Sequence, residues 1–85
     1  MAKYSIRFKR SVAKDLRNIP NADVKRILSR INDLTVNPRG IGCVKLSSLE
    51  RYRVKQGLYR IIYEIKDEEL VVHVIKVGHR SSIYS

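Results

Sequence analysis

The chain has 85 residues, and its 18 Lys and Arg against 8 Asp and Glu give a formal charge of +10 at pH 7, which favours an anionic partner. The length allows one domain, residues 1–85, and the 44% apolar content excludes disorder because apolar burial can offset chain entropy. One Cys and two separated His exclude an intrachain disulfide and fall short of a zinc site, and the lack of a long apolar run indicates a cytoplasmic protein without a membrane span.

The N-terminal half predicts one strand followed by two helices. Strict alternation over residues 3–9 is typical of an edge strand with Tyr4, Ile6 and Phe8 on one face. Ser11 and Asn21 are the expected N-caps of the helices, because each precedes residues with helical apolar spacing. The buried stripes are expected to contain Val12, Leu16 and Ile19 in the first helix, and Val24, Ile27, Leu28, Ile31 and Leu34 in the second.

After Gly42 the apolar period changes to two, which predicts strands. Residues 43–46 form a possible short strand, and a tight Gln56-Gly57 connection joins the next two strands. The three hairpin-linked strands are expected at residues 51–55, 58–66 and 70–77. The last is nearly continuous in β-branched residues, which indicates a central strand covered on both faces. The order predicts an α+β domain with an N-terminal strand, a two-helix hairpin and a three-stranded antiparallel meander, its helices packed on one face of the sheet.

The positive charge is patterned along the predicted sheet. Residues 45–63 contain five cations and one acid, whereas residues 64–69 contain four acids and one cation. Arg51, Arg53 and Lys55 project from one strand face, and a short turn would bring Arg60 beside them. Like charges on paired strands cost stability, so such a cluster indicates an anion that occupies it.

The C-terminal segment adds a titratable ring and a phenol to these cations. Gly78-His79-Arg80 leaves the last strand, and Tyr84 follows close behind. These residues are expected to line one concave surface with Arg53, Lys55 and Arg60. His79 is either a proton-transfer group or a structural strand-end histidine.

Two segments carry a resemblance to a known family. The stretch YRVKQGLYRIIYEI over residues 52–65 and VGHRSSIY over residues 77–84, with an acidic turn and a Val-rich strand between them, resemble the RelE-type toxins of bacterial and archaeal toxin–antitoxin systems. The resemblance covers essentially the whole chain. It implies a RelE-like fold and an endoribonuclease that cleaves mRNA in the ribosomal A site by attack of the RNA 2′-hydroxyl on its own phosphate, without metal or other cofactor.

The resemblance also implies partners. An acidic RelB-like antitoxin would wrap the toxin and silence it, with the groove between the helical pair and the sheet as a candidate docking place. The ribosome with mRNA in its A site is the expected target, a membrane is not expected, and DNA would be contacted only through the antitoxin complex.

Carried over by position, the resemblance assigns site residues. Lys55 and Arg53 match two basic strand residues, Arg60 a phosphate-stabilising arginine, Arg80 an arginine with a leaving-group role, and Tyr84 a tyrosine that orients or stacks on substrate. Arg53 stands where well-known members have Lys, and because arginine keeps its proton in proteins, Lys55 or His79 is the expected proton acceptor.

Further RNA contacts are expected from basic residues outside this set. The stripe on the first helix is either a solvated face or a contact with ribosomal RNA backbone, which would make binding steeply salt-dependent. These candidates are Lys45, Arg51, Arg10, Lys14 and Arg17.

Two other functions use the same scaffold or the same charge. One is an inhibitor of DNA gyrase like the ParE relatives of RelE toxins, and the other is a basic RNA-binding or ribosome-binding module without chemistry. The set Lys55, Arg60, Arg80 and Tyr84 favours the ribonuclease, because a gyrase binder has no need of a phosphate-cleaving cluster.

Overall fold

A computed structural model describes residues 3–46 and 50–83 of the chain. Within these residues no helix is both long and apolar enough to cross a membrane. A 3₁₀ turn at Asp67–Glu69 joins the last two strands. The elements are β1 (Ser5–Phe8), α1 (Arg10–Arg17), α2 (Asn21–Asp33), β2 (Val44–Lys45), β3 (Arg51–Gln56), β4 (Tyr59–Lys66) and β5 (Val71–His79).

The strands form one five-stranded sheet in the order β1-β5-β4-β3-β2. Strands β2 to β5 pair antiparallel, as predicted, whereas β1 runs parallel to β5 with Arg7 beside His73. The predicted α+β class is therefore confirmed, but the sheet is mixed and contains five strands. Parallel pairing needs a long connection between the two strands, and here both helices and the meander provide it.

The two helices cover one side of the sheet, here called the helix face, and the other side is called the open face. Alternation along the strands sends apolar side chains to the helix face, where they meet the stripes of α1 and α2. Leu28 and Phe8 depart from the prediction, since they are 41% and 47% exposed. Buried members of this core include Val12, Ile19, Ile27, Ile31, Leu34, Tyr52, Val54, Ile61, Tyr63, Ile65, Val72, Val74 and Val77.

The helix starts differ from the predicted caps. Lys9 and Pro20 occupy the N-cap positions with ψ of 143° and 141°, and neither forms a side-chain capping bond. Ser11 and Asn21 lie inside the first turns, so both cap predictions are wrong. Proline serves at the start of α2 because its φ of −54° is compatible with helix entry and its carbonyl accepts the N–H groups of Asp23 and Val24.

Strand β5 contains an irregularity that changes which residues face the helices. Ile62 pairs with Lys76, but the next residue of β4, Tyr63, pairs with Val74. Such a bulge inserts one extra residue and shifts the side-chain alternation by one. The predicted central position of β5 is confirmed, because it pairs with β1 on one edge and β4 on the other, but the helices cover only one of its faces.

Candidate active site

The β3–β4 hairpin places two cations side by side. Gln56 is the last residue of β3, and the loop consists of Gly57 and Leu58, one residue later than predicted. Gly57 has φ of +58°, which suits the first central position of a type II′ turn and is accessible to glycine without strain. The short loop fixes the register so that Lys55 and Arg60 are direct cross-strand partners on the open face.

Arg80 meets the same hairpin through its backbone. Its N–H donates to the Leu58 carbonyl at 2.8 Å. The Arg60 guanidinium bends over the loop, and its Nη1 donates to the carbonyls of Gly57 at 3.1 Å and Tyr59 at 3.0 Å. Lys55, Arg60 and Arg80 therefore lie at one end of the sheet, and we call this set the hairpin corner.

The other predicted cations of β3 lie on the same open face. Arg53 is half-buried opposite Ile62. Arg51 lies opposite Glu64 and donates to its carboxylate at 2.8 Å, and this contact holds the pKa of Glu64 below its usual range. Arg51 is thus engaged with an acid of the chain itself.

Lys45 and the helix stripe lie away from the hairpin corner. Lys45 contacts Glu50, with 3.3 Å between Nζ and Oε1. Arg10, Lys14 and Arg17 are exposed on α1, as either alternative for that stripe requires. Asp15 on the same helix accepts the N–H of Val77 at 3.2 Å, which fixes α1 against the end of β5.

His79 lies on the opposite side of the sheet from Lys55 and Arg60. It pairs with Tyr59, and the two rings meet edge to face with centroids 5.9 Å apart. Tyr59 packs against the core, so both rings are on the helix face. The predicted single surface containing His79, Lys55 and Arg60 is therefore wrong, because the bulge in β5 reverses the alternation that would have placed His79 on the open face.

A cavity of about 350 Å³ adjoins His79 on the helix face. Its lining includes polar groups from the end of α1 and the residue after it, from β4, from the end of β5 and from the C-terminal turn. Among them are Asp15, Asn18, Tyr59, His79 and Ser82.

The residues after His79 fold back onto the sheet. The His79 carbonyl accepts the N–H groups of both Ser82 and Ile83 at 3.0 Å. Ile83 is buried against Gly78, where an added Cβ would lie 3.0 Å from Ile83 Cδ1. Because Gly78 pairs with Arg60, this contact brings Ile83 to the open face beside the hairpin corner. Ile83 was not among the predicted site residues, and the only signal for it is a lone apolar residue in a polar tail. Tyr84 lies outside the described residues.

The opposite end of the sheet holds an ion-pair network that local sequence pattern does not predict. Arg39 contacts Glu50 and Asp67, each at 2.7 Å. The Tyr4 hydroxyl donates to Asp67 at 2.6 Å, and the Tyr52 hydroxyl donates to Glu50 at 3.1 Å. Hydrogen bonds from Arg39 and then Tyr4 lower the pKa of Asp67 to about 2, and Arg39 is also the main cause of the lowered pKa of Glu50.

Comparison with known proteins assigns the chain to a family. The family described as "ParE toxin of type II toxin-antitoxin system, parDE" matches residues 6–84. Toxin RelG of Mycobacterium tuberculosis is 31% identical, with 95% of each chain covered. Two solved structures superpose with a TM-score of 0.80 at 26% identity. They are the M. tuberculosis RelBE2 toxin–antitoxin complex, with 92% of this chain and 99% of the matched chain covered, and the isolated Escherichia coli RelE toxin, with 95% and 90% covered.

The two-helix, mixed-sheet fold and the family match define a toxin of a type II toxin–antitoxin system. The relatives and structural neighbours narrow the class further. The chain belongs to the RelE/ParE superfamily and is a RelE-type toxin.

Proposed function

We propose that the protein is a ribosome-dependent endoribonuclease that cleaves mRNA in the A site and so inhibits translation in the cytoplasm. The observation that carries this proposal is the hairpin corner, where Lys55 and Arg60 are direct cross-strand partners and the backbone of Arg80 bonds to the same loop. Adjacent cations on paired strands cost stability, and a bound phosphate offsets that cost.

The placement of the acids supports a phosphate at this corner. Within residues 3–46 and 50–83, the ion pairs between side chains join carboxylates to Arg7, Arg26, Arg30, Arg39, Lys45 and Arg51. In that part of the chain, Lys55, Arg60 and Arg80 have no carboxylate partner. The hairpin corner therefore stays positive, as phosphate recognition requires, and so do exposed cations of the helices such as Lys14 and Lys25.

The proposed reaction makes one bond and breaks one bond at phosphorus. The RNA 2′-oxygen loses its proton and bonds to the adjacent phosphorus, while the bond from phosphorus to the 5′-oxygen breaks. The products are a cyclic 2′,3′-phosphate and a free 5′-hydroxyl, so the leaving oxygen must gain a proton. Three tasks follow: proton removal, stabilisation of charge on the phosphorane, and protonation of the leaving group.

The residues of the hairpin corner suit these tasks differently. Lys55 is the proposed base, because the amine of a lysine can accept a proton once it is neutral, whereas arginine keeps its proton. Arg60 is the proposed clamp for the phosphorane oxygens, supported by Arg53. Arg80 is proposed to assist the leaving 5′-oxygen, and Tyr84 to orient the substrate. None of these roles uses a metal ion.

An acidic antitoxin is the proposed off-switch. Solved structures similar to this chain include RelB–RelE complexes from E. coli and M. tuberculosis. A chain of net charge +10 attracts an acidic partner. We propose that the antitoxin docks in the groove between the helices and the sheet, and that DNA is contacted only by the toxin–antitoxin complex. Expression of the toxin alone should arrest growth, and co-expression of its acidic partner should restore it.

The test is cleavage of mRNA on programmed ribosomes, with 5′ ends mapped by primer extension. Wild-type protein should cut within the A-site codon. Arg60→Ala should lower the single-turnover rate about 100-fold or more, because it removes a charge-stabilising donor. Arg26→Ala is the matched control, since Arg26 is an exposed arginine that pairs with Asp23 on α2. Intact mRNA despite demonstrated ribosome binding would defeat the enzyme proposal.

The family match favours one second candidate. Because the matching family is described as a ParE toxin, inhibition of DNA gyrase is the alternative. A supercoiling assay with the same three proteins distinguishes the two activities. Inhibition of supercoiling without mRNA cleavage would assign the gyrase function, and ribosome binding with neither effect would indicate a non-catalytic RNA-binding module.

A further inference from the structure

We propose that His79 is a positioning residue that fixes the turn carrying Arg80, and that it takes no part in proton transfer. This inference rests on the proposed ribonuclease function and concerns how its site is assembled. Both the imidazole and the backbone carbonyl of His79 form hydrogen bonds with the residues that follow it.

The imidazole of His79 acts as an acceptor toward the turn. The Ser81 N–H donates to His79 Nδ1 at 3.1 Å, and Ser81 Oγ lies 2.7 Å from the same nitrogen. A backbone N–H can only donate, so Nδ1 must carry a lone pair, and a neutral imidazole must then hold its proton on Nε2. The bond from Ser81 thus selects one tautomer.

The same residue holds the turn through its backbone. The His79 carbonyl accepts from Ser82 and Ile83, while Arg80 N–H is bound to Leu58 of the hairpin. Arg80 therefore stands in a turn fixed on both sides, with the Ser81 bond next to it. The edge-to-face contact with Tyr59 holds the imidazole plane that this bond requires.

The position of His79 disfavours a chemical role. Lys55 and Arg60 lie on the open face, whereas His79 lies with Tyr59 on the helix face next to the cavity that Asp15 also lines. A general acid or base must come within hydrogen-bond reach of the proton it transfers. A residue on the other face of the sheet can instead set where the guanidinium of Arg80 is held.

Substitutions of His79 separate positioning from proton transfer. Asparagine places a carbonyl oxygen near the position of Nδ1 and readily accepts the N–H two residues later, but it cannot transfer a proton near neutral pH. His79→Asn should therefore retain cleavage within about threefold of wild type. His79→Ala should lower kcat about 10- to 100-fold with little change in KM for ribosomes, because small misplacements of a catalytic group cost rates of this order. His79→Gln, whose amide reaches the Nε2 position instead, should resemble His79→Ala.

The control is His73→Asn, which makes the same substitution elsewhere on β5 and should change the rate less than twofold. Urea unfolding of each variant shows whether it is folded under the assay conditions. Equal loss in His79→Asn and His79→Ala would overturn the proposal in favour of proton transfer, and wild-type rates in His79→Ala would overturn any role for the residue.

A spectroscopic measurement keeps this inference separate from the proposed function. Nitrogen-15 NMR of the imidazole in the free protein at pH 8 should show unprotonated Nδ1 and protonated Nε2. The opposite tautomer would overturn the proposal even if mRNA is cleaved. If wild type leaves mRNA intact while this tautomer is found, the ribonuclease function fails and the positioning of the turn by His79 stands.

Discussion

Replacing Lys55 with Gln should stabilise the folded protein while it impairs mRNA cleavage. Lys55 and Arg60 are direct cross-strand partners, so their Cβ atoms are separated by about 5 Å. With the flexible cations about 7 Å apart in water, Coulomb repulsion is about 0.6 kcal/mol. This value lies within the range of about 0.2–1 kcal/mol measured for cross-strand pairs. Lys55→Gln keeps the length of the side chain and removes the repulsion.

The expected gain is about 0.5 kcal/mol in the free energy of unfolding, or roughly 2–4 °C in Tm for a domain of this size. Urea unfolding at 25 °C and 20 mM salt measures it. The gain should disappear at 1 M salt, where the screening length falls to about 3 Å. Lys25→Gln, an exposed lysine on α2, controls for the general effect of lowering net charge.

A double-mutant cycle isolates the pair. Arg60→Gln also loses the bonds to Gly57 and Tyr59, so its stability alone is not diagnostic. In the Lys55→Gln, Arg60→Gln double variant, the benefit of replacing Lys55 should vanish because its charged partner is absent. If Lys55→Gln is no more stable than wild type relative to its control, or if its gain is unchanged at 1 M salt, the repulsion on which the argument rests does not exist.

Three further outcomes follow from the contacts described above. Tyr63→Phe should cost about 1–2 kcal/mol in urea unfolding, because the buried hydroxyl donates to the Pro38 carbonyl at 2.6 Å, with Tyr59→Phe as the control; an unchanged midpoint would contradict it. Asp67→Asn should lower the free energy of unfolding by about 0.2–1 kcal/mol at pH 7, since the carboxylate is half exposed. The difference from wild type should shrink between pH 4 and pH 2, as the pH approaches the depressed pKa of Asp67, which is about 2. A cost independent of pH would refute this prediction. Gly78→Ala should lower the free energy of unfolding by about 1 kcal/mol, because the new Cβ would press on Ile83. It should also slow mRNA cleavage by more than this loss of stability explains. Wild-type rates of cleavage would show that the turn tolerates displacement.

The features of the fold that the sequence predicts correctly are those set by the local spacing of apolar residues. The stripes of α1 and α2 and the alternation in β3 and β4 are set by burial on one side, so Val12, Ile27 and Ile61 lie where the pattern puts them. The pairing of Lys55 with Arg60 is predictable for a related reason, since a two-residue loop leaves little freedom of register.

Features that depend on distant parts of the chain were not predictable from local pattern. The parallel pairing of β1 with β5 joins residues more than sixty positions apart, and Arg39 meets Asp67 across 28 positions. The face occupied by His79 depends on one extra residue in β5, which pairwise alternation from Val71 onward does not reveal. A single bulge thus moved a candidate catalytic group from one surface to another, although Val71 to Val77 were assigned correctly to a strand.

The distribution of acids gives the net charge a structural meaning. Glu50 and Asp67 surround Arg39 at one end of the sheet, and Glu64 holds Arg51 partway along β3. Glu64 lies nearer to the β3–β4 loop than Glu50 and Asp67 do, because β3 runs from Arg51 towards Lys55. Net positive charge therefore increases along β3, from the Arg51–Glu64 pair to the hairpin corner. Such a gradient orients a polyanion as it approaches, since the attractive field is strongest where Lys55, Arg60 and Arg80 stand and weakest where the acids are. An antitoxin that docks in the groove on the helix face and also reaches this corner with carboxylates would remove the gradient and the repulsion between Lys55 and Arg60 together, so inhibition should coincide with stabilisation of the toxin.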